Sequence, residues 1–463
     1  MKRREMPFAA GATVSVLGLG VSGTAAARLA AARGAVVYAS DAFAGVEQKA
    51  AVDALSAEGI SAEAGRHDMD RILDSDLVVV SPGISPFSEV RQEISARGIR
   101  TIAEVELAYG TLSSRVIGIT GTNGKTTTTQ LTATLLRESG TSAVAGGNIG
   151  HPLSWTAMEE EQPDWVVVEL SSFQLADLES FHVDIGVLLN LAPDHLDRYR
   201  DLQAYYRDKQ RLFAAGDDDT AWVLNADDPF VLDLANSIAE EAFLFSLNDP
   251  VKRGGWLSAD GVLVGNIDGT EERWLPEAEL PLLGSHNVAN ALAASISARL
   301  AGCPADAVGS GLRVPSDLPH RLESAGEVAG VLWINDSKAT NVAAATAAVR
   351  AFDRPIIMML GGRHKGEPYA SIAEAGSDRL KAVVAFGEAA PKILAELDGA
   401  VPHIAVENGM DAAVRAARHQ AVSGDVVLFS PACSSFDMYP NYEVRGEAFV
   451  RAVQSLSTVE DRS

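Results

Sequence analysis

The sequence predicts an α/β protein built from three successive domains, and two observations support this prediction. Short apolar segments rich in β-branched residues alternate with helical segments, which is typical of parallel sheets joined by right-handed crossovers. The chain has 463 residues, and a length of roughly 150 residues per domain corresponds to about three domains. We expect three α/β domains, at 1–112, 113–316 and 317–463.

The first domain begins with the strand Val14–Leu17, which is followed by a glycine-rich turn and an alanine-rich helix. The turn reads Gly18-x-Gly20-x-x-Gly23, and the next strand ends at Asp41. This is the pattern of a dinucleotide site, in which the acidic residue holds a ribose hydroxyl and NAD is the usual ligand. The alternative is a turn whose glycines serve only the close packing of helix and strand.

The central domain carries a glycine-rich loop between the strand Arg115–Thr120 and the next helix. Backbone N–H groups of such a loop and the helix N-terminus favour a phosphate group. Lys125 adds a positive charge, and a threonine hydroxyl can bind the Mg²⁺ of a nucleotide. The spacing departs from a strict Walker A motif, because Ile119 stands where the first glycine would be. A simple turn would not need Lys and consecutive Thr, so the sequence predicts an ATP-type phosphate site.

Three further polar residues of this domain are candidates for the chemistry. Glu169 ends an apolar strand, where a carboxylate can either bind Mg²⁺ or cap a helix. His195 lies in the loop Asp194–Arg198 after another strand, where ligands often cluster. Lys209 lies on a helix, and its position alone predicts a solvated lysine. Turn pairs between Trp256 and Leu283 predict a small antiparallel patch beside the parallel sheet.

The third domain has a polar loop directly after each of three predicted strands. These loops are Asn335–Thr340, Gly361–Gly366 and Ser430–Asp437. Open α/β sheets bind ligands at the carboxyl ends of their strands, so we expect the three loops to form one site. Two of them contain Lys, which favours an anionic ligand.

Composition excludes several classes of function. The chain has 38 basic and 62 acidic residues, a formal net charge of −24 that disfavours binding to nucleic acid. Cys303 and Cys433 are too few for a disulfide framework or a thiolate metal site, which fits a reducing compartment. No run of 18 apolar residues occurs, so we expect no membrane span. We expect a cytoplasmic monomer.

Taken together, the motifs resemble those of the Mur ligase family, whose members form amide bonds with ATP in peptidoglycan synthesis. The shared motifs are Thr120–Thr127, His286-Asn287-x-x-Asn290 and Asn335–Asn341. Three more segments are most similar to the branch that adds D-glutamate to UDP-N-acetylmuramoyl-L-alanine, namely Gly147–Gly150, Glu169–Leu175 and Ser430–Asp437. The resemblance covers nearly the whole chain, and it implies a Rossmann-like first domain, a central P-loop-type ATPase domain and a Rossmann-like third domain.

The resemblance implies a ligand for each group of residues. The UDP-linked substrate would bind at Gly20, Val21, Ser22, Asp41, Ser81, Gly83, Asn148 and His195. ATP would bind at Gly121, Thr122, Asn123, Gly124, Lys125, Thr126, Thr127, Asn287, Asn290, His320, Arg321, Asp336 and Lys338. D-Glutamate would be surrounded by Lys338, Thr340, Lys365, Ser435, Phe436 and Tyr442.

The resemblance also implies the catalytic groups, which would be Lys125, Glu169, His195 and Lys209. Two Mg²⁺ ions would be held by Thr126, Glu169, His195 and a carbamylated Lys209. The sequence departs from the family pattern at Ala42-Phe43, which are apolar where many relatives offer the uracil a polar residue. It departs again at Arg363-His364, where acidic residues are common.

Several alternatives remain open at the level of sequence. A sister ligase that adds another amino acid, or a folylpolyglutamate synthase, would share the ATP motifs. No Asp-Asn-Pro-Arg-like motif for a diaminopimelate side chain is present. A nucleotide-binding regulatory protein would not need Lys125, Glu169, His195 and Lys209 together. A dehydrogenase would explain the first glycine-rich turn, but only that motif.

Overall fold

The computed structural model describes residues 4–196, 198–314, 319–402 and 404–460. Two features of the sequence analysis lie outside the described residues. They are Asp197 in the loop Asp194–Arg198 and the predicted domain boundary at residue 316. The chain folds into two compact units. The first unit comprises residues 1–191, 203–279 and 289–314, and the second comprises residues 192–202, 280–288 and 315–463.

A five-stranded parallel sheet with the strand order β3-β2-β1-β4-β5 opens the first unit. Its strands are β1 (Thr13–Leu17), β2 (Val36–Asp41), β3 (Ser61–Ala64), β4 (Leu77–Val80) and β5 (Thr101–Ala103). Its helices are α1 (Val21–Ala32), α2 (Val46–Ala57), α3 (Met69–Leu73), α4 (Glu89–Ala96) and α5 (Glu104–Tyr109). The order reverses between β1 and β4, so the turns after these two strands lie side by side and leave a crevice.

A nine-stranded sheet follows in the same unit, with the order β14-β13-β12-β11-β10-β9-β6-β8-β7. Its parallel strands are β6 (Arg115–Thr120), β7 (Ala143–Gly147), β8 (Trp165–Glu169), β9 (Ile185–Leu188), β10 (Ala221–Asn225), β11 (Phe243–Ser246) and β12 (Gly254–Leu257). Two antiparallel strands extend it, β13 (Val262–Asn266) and β14 (Glu271–Pro276). The helices are α6 (Lys125–Glu138), α7 (Leu153–Thr156), α8 (Ser172–Ala176), α9 (Leu202–Ala214), α10 (Pro229–Leu234), α11 (Ser285–Leu300) and α12 (Ala305–Leu312), with a 3₁₀ turn at Glu277–Glu279.

The carboxylate of Glu106 joins the two sheets of this unit. Glu106 is buried on α5, the helix that follows the last strand of the first sheet. Its carboxylate accepts hydrogen bonds from the backbone N–H groups of Glu179, Ser180 and Phe181 at 2.9–3.0 Å. An ion pair between Arg91 and Asp177 at 2.7 Å supports the same contact. Charge-assisted bonds from three consecutive N–H groups fix the relative position of the two sheets.

The second unit contains a six-stranded sheet with the order β15-β16-β20-β17-β18-β19. Its strands are β15 (Glu323–Val328), β16 (Val331–Asn335), β17 (Ile356–Gly361), β18 (Leu380–Phe386), β19 (Ile404–Glu407) and β20 (Val426–Phe429), and only β15 is antiparallel to its neighbour. The helices are α13 (Val342–Arg350), α14 (Ala370–Ala375), α15 (Ala390–Leu397), α16 (Met410–Gln420) and α17 (Tyr442–Glu460).

Helices cover both faces of this last sheet, and the strand residues alternate between two cores. Met358 and Leu360 pack in one core with α13 and α15, whereas Ile357 and Met359 pack in the other with α16 and α17. A strand buried on both faces has side chains at successive positions pointing to opposite sides, which explains its unbroken apolar sequence.

The structure confirms the predicted fold class, an α/β protein with three domains, largely parallel sheets and a small antiparallel patch at β12–β14. The boundaries at 112 and 316 stay predictions. Among the described residues, none of the helices is both long enough and apolar enough to cross a membrane.

Candidate active site

The phosphate loop adopts a backbone that requires glycine at two positions. Gly121 has φ +156° and Gly124 has φ +82°, and a Cβ atom on Gly124 would lie 2.2 Å from Oδ1 of Asn290. Asn190, two residues after β9, holds the loop through two hydrogen bonds. Its backbone oxygen accepts the N–H of Thr122, and its side-chain oxygen accepts the N–H of Asn123. Asn190 therefore ties two successive N–H groups of the loop to the segment after β9.

Two lysines reach the same backbone oxygen in this loop. Nζ of Lys125 donates to the oxygens of Gly121 and Thr122 at 2.9 and 2.8 Å, and Nζ of Lys209 donates to Gly121 O at 2.7 Å. Lys209 is 1% exposed, so the prediction of a solvated lysine, which rested on its position alone, is wrong. Tyr205 packs beside it, with the ring centroid 4.7 Å from Nζ, and donates its hydroxyl to Thr122.

Glu169 connects the phosphate loop with the loop after β7. It is buried at the end of β8, and its Oε2 accepts the hydroxyl of Thr126 at 2.7 Å. Its Oε1 accepts the side-chain amide of Asn148 at 2.9 Å. A carboxylate next to a threonine hydroxyl at a helix N-terminus is a donor set that suits Mg²⁺ bound to nucleotide phosphates. The residues present therefore fit the predicted ion.

A cavity of about 440 Å³ lies between the first sheet and the loop after β7. All seven predicted substrate residues of the first unit line it, namely Gly20, Val21, Ser22, Asp41, Ser81, Gly83 and Asn148. Gly18 has φ +95°, and a Cβ atom there would lie 2.9 Å from Cβ of Ser81, so this turn also requires glycine.

The carboxylate of Asp41 binds backbone N–H groups of its own unit. Oδ2 accepts the N–H of Leu19 and Oδ1 accepts the N–H of Phe43, both at 2.9 Å, and the residue is 7% exposed. It therefore shapes the glycine-rich turn and the Ala42-Phe43 turn around the cavity. Phe43 itself is 75% exposed.

In the second unit, the loops after β16 and β20 meet at Asp336. Its Oδ2 accepts the hydroxyl of Ser430 at 2.7 Å, and its Oδ1 accepts the N–H of Leu322 at 3.3 Å. Burial raises the pKa of Asp336 to about 7, against the effect of these hydrogen bonds. Nζ of Lys338 lies 3.7 Å from the ring centroid of Tyr442, which places a cation over an aromatic face in the same region.

Lys365 pairs with Asp194, which precedes the predicted metal ligand His195. The two charged atoms lie 2.9 Å apart, and Asp194 also accepts the side-chain amide of Asn341 at 2.9 Å. Burial alone would raise the pKa of Asp194, but the charges of Lys365 and His195 hold it well below its usual range. His195 has φ +55° and donates its N–H to the same carboxylate.

The remaining predicted residues of the second unit differ in position and exposure. His320 has φ +64°, and its Nδ1 lies 2.9 Å from Nδ2 of Asn335.

Asn287, one turn before Asn290 on α11, donates its side-chain amide to Leu283 O at 2.7 Å. Burial lowers the pKa of its neighbour His286 to about 4, with a smaller effect from the charge of Arg321. Thr340 is half-buried, Ser435 is buried and Phe436 is 60% exposed.

Three residues that contact these loops were missed by the sequence analysis. Asn190 and Tyr205 shape the phosphate loop, and Arg445 is buried among the three loops of the second unit. Asn190 gave one usable signal, since it directly follows a strand as other ligand-holding residues do. Tyr205 and Arg445 lie inside helical patterns and gave none.

Three family models match successive parts of the chain. They are the MurD-like N-terminal domain of Mur ligases at residues 12–103, the Mur ligase middle domain at 119–298 and the glutamate ligase domain of Mur ligases at 320–433. Together these matches span all three sheets.

Curated relatives match over nearly the full length. A UDP-N-acetylmuramoylalanine–D-glutamate ligase from Acidobacterium capsulatum is 42% identical over 440 residues, with 95% of both chains covered. A ligase of the same name from Salinibacter ruber is 41% identical, with 96% of this chain and 97% of the relative covered.

Solved structures share the fold at low identity. The UDP-N-acetylmuramate–alanine ligase of Thermotoga maritima has a TM-score of 0.61 at 19% identity, covering 96% of this chain and 99% of that structure. A pseudomurein peptide ligase of Methanothermus fervidus has a TM-score of 0.60, also at 19% identity, covering 96% and 100%. At this identity the likeness concerns the fold alone.

Proposed function

The chain belongs to the Mur ligase family, and from this premise we propose that it joins D-glutamate to UDP-N-acetylmuramoyl-L-alanine with conversion of ATP to ADP and phosphate. It is an ATP-dependent ligase of peptidoglycan precursor synthesis. The amino acid distinguishes this proposal from the sister ligases, and the relatives named for D-glutamate favour it.

One contact supports the proposal most strongly, namely the carboxylate of Glu169 between Asn148 and Thr126. Asn148 lines the cavity of the first unit, and Thr126 begins the helix after the phosphate loop. Both donate to Glu169, at 2.9 and 2.7 Å. A nucleotide-linked substrate in the cavity would therefore end beside the phosphates of ATP, as a phosphoryl transfer between them requires.

The proposed reaction has two steps. An oxygen of the L-alanyl carboxylate attacks the γ-phosphorus of ATP, ADP leaves, and an acyl phosphate forms. The amine of D-glutamate then attacks the acyl carbon, a proton leaves the nitrogen, and phosphate departs with the oxygen that joined it to the acyl group. Both partners are anionic, so Lys125 and the N–H groups of the loop lower the barrier by offsetting the charge that develops on the phosphoryl group.

Glu169 and Thr126 would hold Mg²⁺, which supplies further positive charge to the phosphates when it is bound. A second ion, with His195 among its ligands, belongs to the same proposal. We also propose that the protein is a cytoplasmic monomer, that ATP binds chiefly to 113–316, and that UDP-linked substrate and D-glutamate bind to 1–112 and 317–463.

The most detailed part of the proposal is that the side chain of Lys209 carries a carbamate. Lys209 and Lys125 donate to one carbonyl oxygen, and Lys209 is buried. Two ammonium groups at one acceptor repel each other, more strongly in a buried site than in water. Addition of CO₂ to the amine with loss of a proton would turn Lys209 into an anion, which would attract Lys125 and add oxygen ligands for a second Mg²⁺.

An ADP-release assay with UDP-N-acetylmuramoyl-L-alanine and a panel of amino acids tests the function. We expect turnover with D-glutamate and poor turnover with D-glutamine, because Lys338, Thr340 and Ser435 would bind the side-chain carboxylate with bonds of about 1.5–3 kcal/mol each. The panel includes L-alanine, meso-diaminopimelate and L-lysine. Turnover with one of these instead of D-glutamate would refute the proposed amino acid, and equal use of D-glutamine would refute the assigned carboxylate contacts.

A further inference from the structure

Arg445 on α17 is a fully buried cation that none of the proposed steps uses. Its side chain is 0% exposed. Nη2 donates to Ser337 O at 2.7 Å, Nε donates to Ser337 Oγ at 3.1 Å, and Nη1 donates to Cys433 O at 2.9 Å. Nη1 also lies 3.5 Å from Gly361 O. The guanidinium thus directs its donors at three different chain segments.

These three segments are the loops predicted to form the amino-acid site. Ser337 lies in the loop after β16, Gly361 ends β17, and Cys433 lies in the loop after β20. The strands β16, β20 and β17 are consecutive neighbours in the sheet. A single side chain therefore holds the carboxyl ends of three adjacent strands, where open α/β sheets bind their ligands.

The loops around the guanidinium are tightly packed. A Cβ atom on Gly362 would lie 2.2 Å from Ser434 O and 3.0 Å from Nη1 of Arg445. The hydroxyl of Ser337 donates to Tyr442 O at 2.8 Å, which fixes the loop after β16 to the first residue of α17. Loss of the guanidinium would leave buried carbonyl oxygens without donors, and the loops would have to move to satisfy them.

The charge of Arg445 has no carboxylate partner within ion-pair distance in the described part of the chain. Its acceptors are backbone oxygens and one hydroxyl. Burial lowers the pKa of Arg445 to about 10, so the group remains cationic at neutral pH. The carboxylates of Asp437 and Asp336 act on this cation only at longer range, so it still attracts an anion bound nearby, and D-glutamate carries a net negative charge.

We propose that Arg445 is a positioning residue for the amino-acid substrate: it sets the spacing of the loops after β16, β17 and β20 and adds positive potential to the site that they form. The inference rests on the proposed function, since it takes an anionic amino acid as the ligand of these loops. Arg445 acts through Ser337, Gly361 and Cys433 and touches no reacting atom.

The test compares Arg445→Lys and Arg445→Met in the full chain with a matched control, Arg354→Lys. Arg354 also donates its guanidinium to backbone oxygens of the same sheet, those of Gly424 and Asp425, but at the amino ends of β17 and β20. Steady-state kinetics gives kcat and the KM for D-glutamate and for the UDP-linked substrate, and thermal unfolding gives Tm.

We expect Arg445→Met to raise the KM for D-glutamate about tenfold or more, since charge-assisted contacts of the loops are lost. Arg445→Lys keeps the charge, so its KM for D-glutamate should lie between that of wild type and that of Arg445→Met. The KM for the UDP-linked substrate should stay within about twofold for all three variants, because its cavity lies in the first unit. Arg354→Lys should leave both KM values unchanged.

A KM for D-glutamate within twofold of wild type in Arg445→Met would overturn the inference, as would an equal rise for both substrates. If neither Arg445 variant folds, Ser337→Ala decides: it removes one of the acceptors, and a rise in the KM for D-glutamate alone supports the inference, whereas no rise overturns it. Wild-type turnover that does not depend on D-glutamate would refute the proposed function itself.

Discussion

At the scale of single residues, burial decides what the charged groups of this chain can do. Lys125 and Lys209 come from two helices, α6 and α9, and meet at Gly121 O. The sequence predicted Lys125 because it lies within a local motif. It could not predict the burial of Lys209 from position, because helix packing brings that residue to the loop from 88 positions away.

The carbamate predicts a specific rescue of Lys209→Ala. We expect this variant to lose most of its activity, and short carboxylic acids such as acetate or propionate to restore part of it by filling the vacated space with an anion. Neutral amides of the same size are the control and should restore nothing. Full activity of Lys209→Ala, or equal rescue by the amides, would exclude the carbamate.

Glu104 is another buried ionisable group, and it predicts a pH dependence of stability. One oxygen accepts the N–H of Ser154 at 2.6 Å, and the other has no hydrogen-bond partner among the described residues. Burial raises the pKa of Glu104 from 4.5 to about 7. Between these two values the folded protein holds a proton that the unfolded chain releases. The contribution of Glu104 to stability is therefore fully present below pH 4.5 and falls as the pH rises towards 7, by about 3 kcal/mol in all.

Glu104→Gln should remove this dependence, because the amide resembles the protonated acid. We expect the variant to match the Tm of wild type at pH 5 and to exceed it at pH 8. Chemical unfolding at the same two pH values gives the free energies. An equal difference between variant and wild type at both pH values would contradict the assignment.

At the scale of elements, the strand–loop–helix units were predictable, whereas the edge strands were not. The loop between β6 and α6 combines an apolar strand, glycines and a helix start within a few positions, so local chemistry specifies it. The edge strands β3 and β15 are short or rich in exposed polar residues, and their pairing depends on the neighbouring strand. Sequence periodicity carries no signal for such strands.

The shape of the phosphate loop predicts different outcomes for two glycine substitutions at the ends of α6. Gly124→Ala should abolish ATP-dependent turnover, because its φ of +82° is strained for Ala and its Cβ would clash with Asn290. Gly140 has φ +88° but open space around the Cβ position, so Gly140→Ala should cost about 1 kcal/mol of stability and keep the activity. Kinetics and thermal unfolding of both variants check this. Normal turnover by Gly124→Ala would refute the placement of ATP at this loop.

At the scale of the whole molecule, the function rests on distant segments brought together. Residues 20, 41, 81 and 148 come from four separate segments of the chain and line one cavity, and Glu169 connects that cavity to the phosphate loop. The sequence predicted the members of this set through their motifs and their resemblance to a family. It could not predict Arg445, whose role follows from contacts across 108 positions, and for Asn190, which acts across 67 positions, it offered only the signal of a place after a strand.

Transfer of an oxygen label tests the central claim, that this chain activates a carboxylate with ATP before forming the amide. UDP-N-acetylmuramoyl-L-alanine is prepared with ¹⁸O in the L-alanyl carboxylate and converted with ATP and D-glutamate, and the released phosphate is analysed by mass. An acyl phosphate leaves one carboxylate oxygen on the phosphorus, so each phosphate should carry one ¹⁸O atom. Phosphate without the label, formed together with the amide product, would contradict the account.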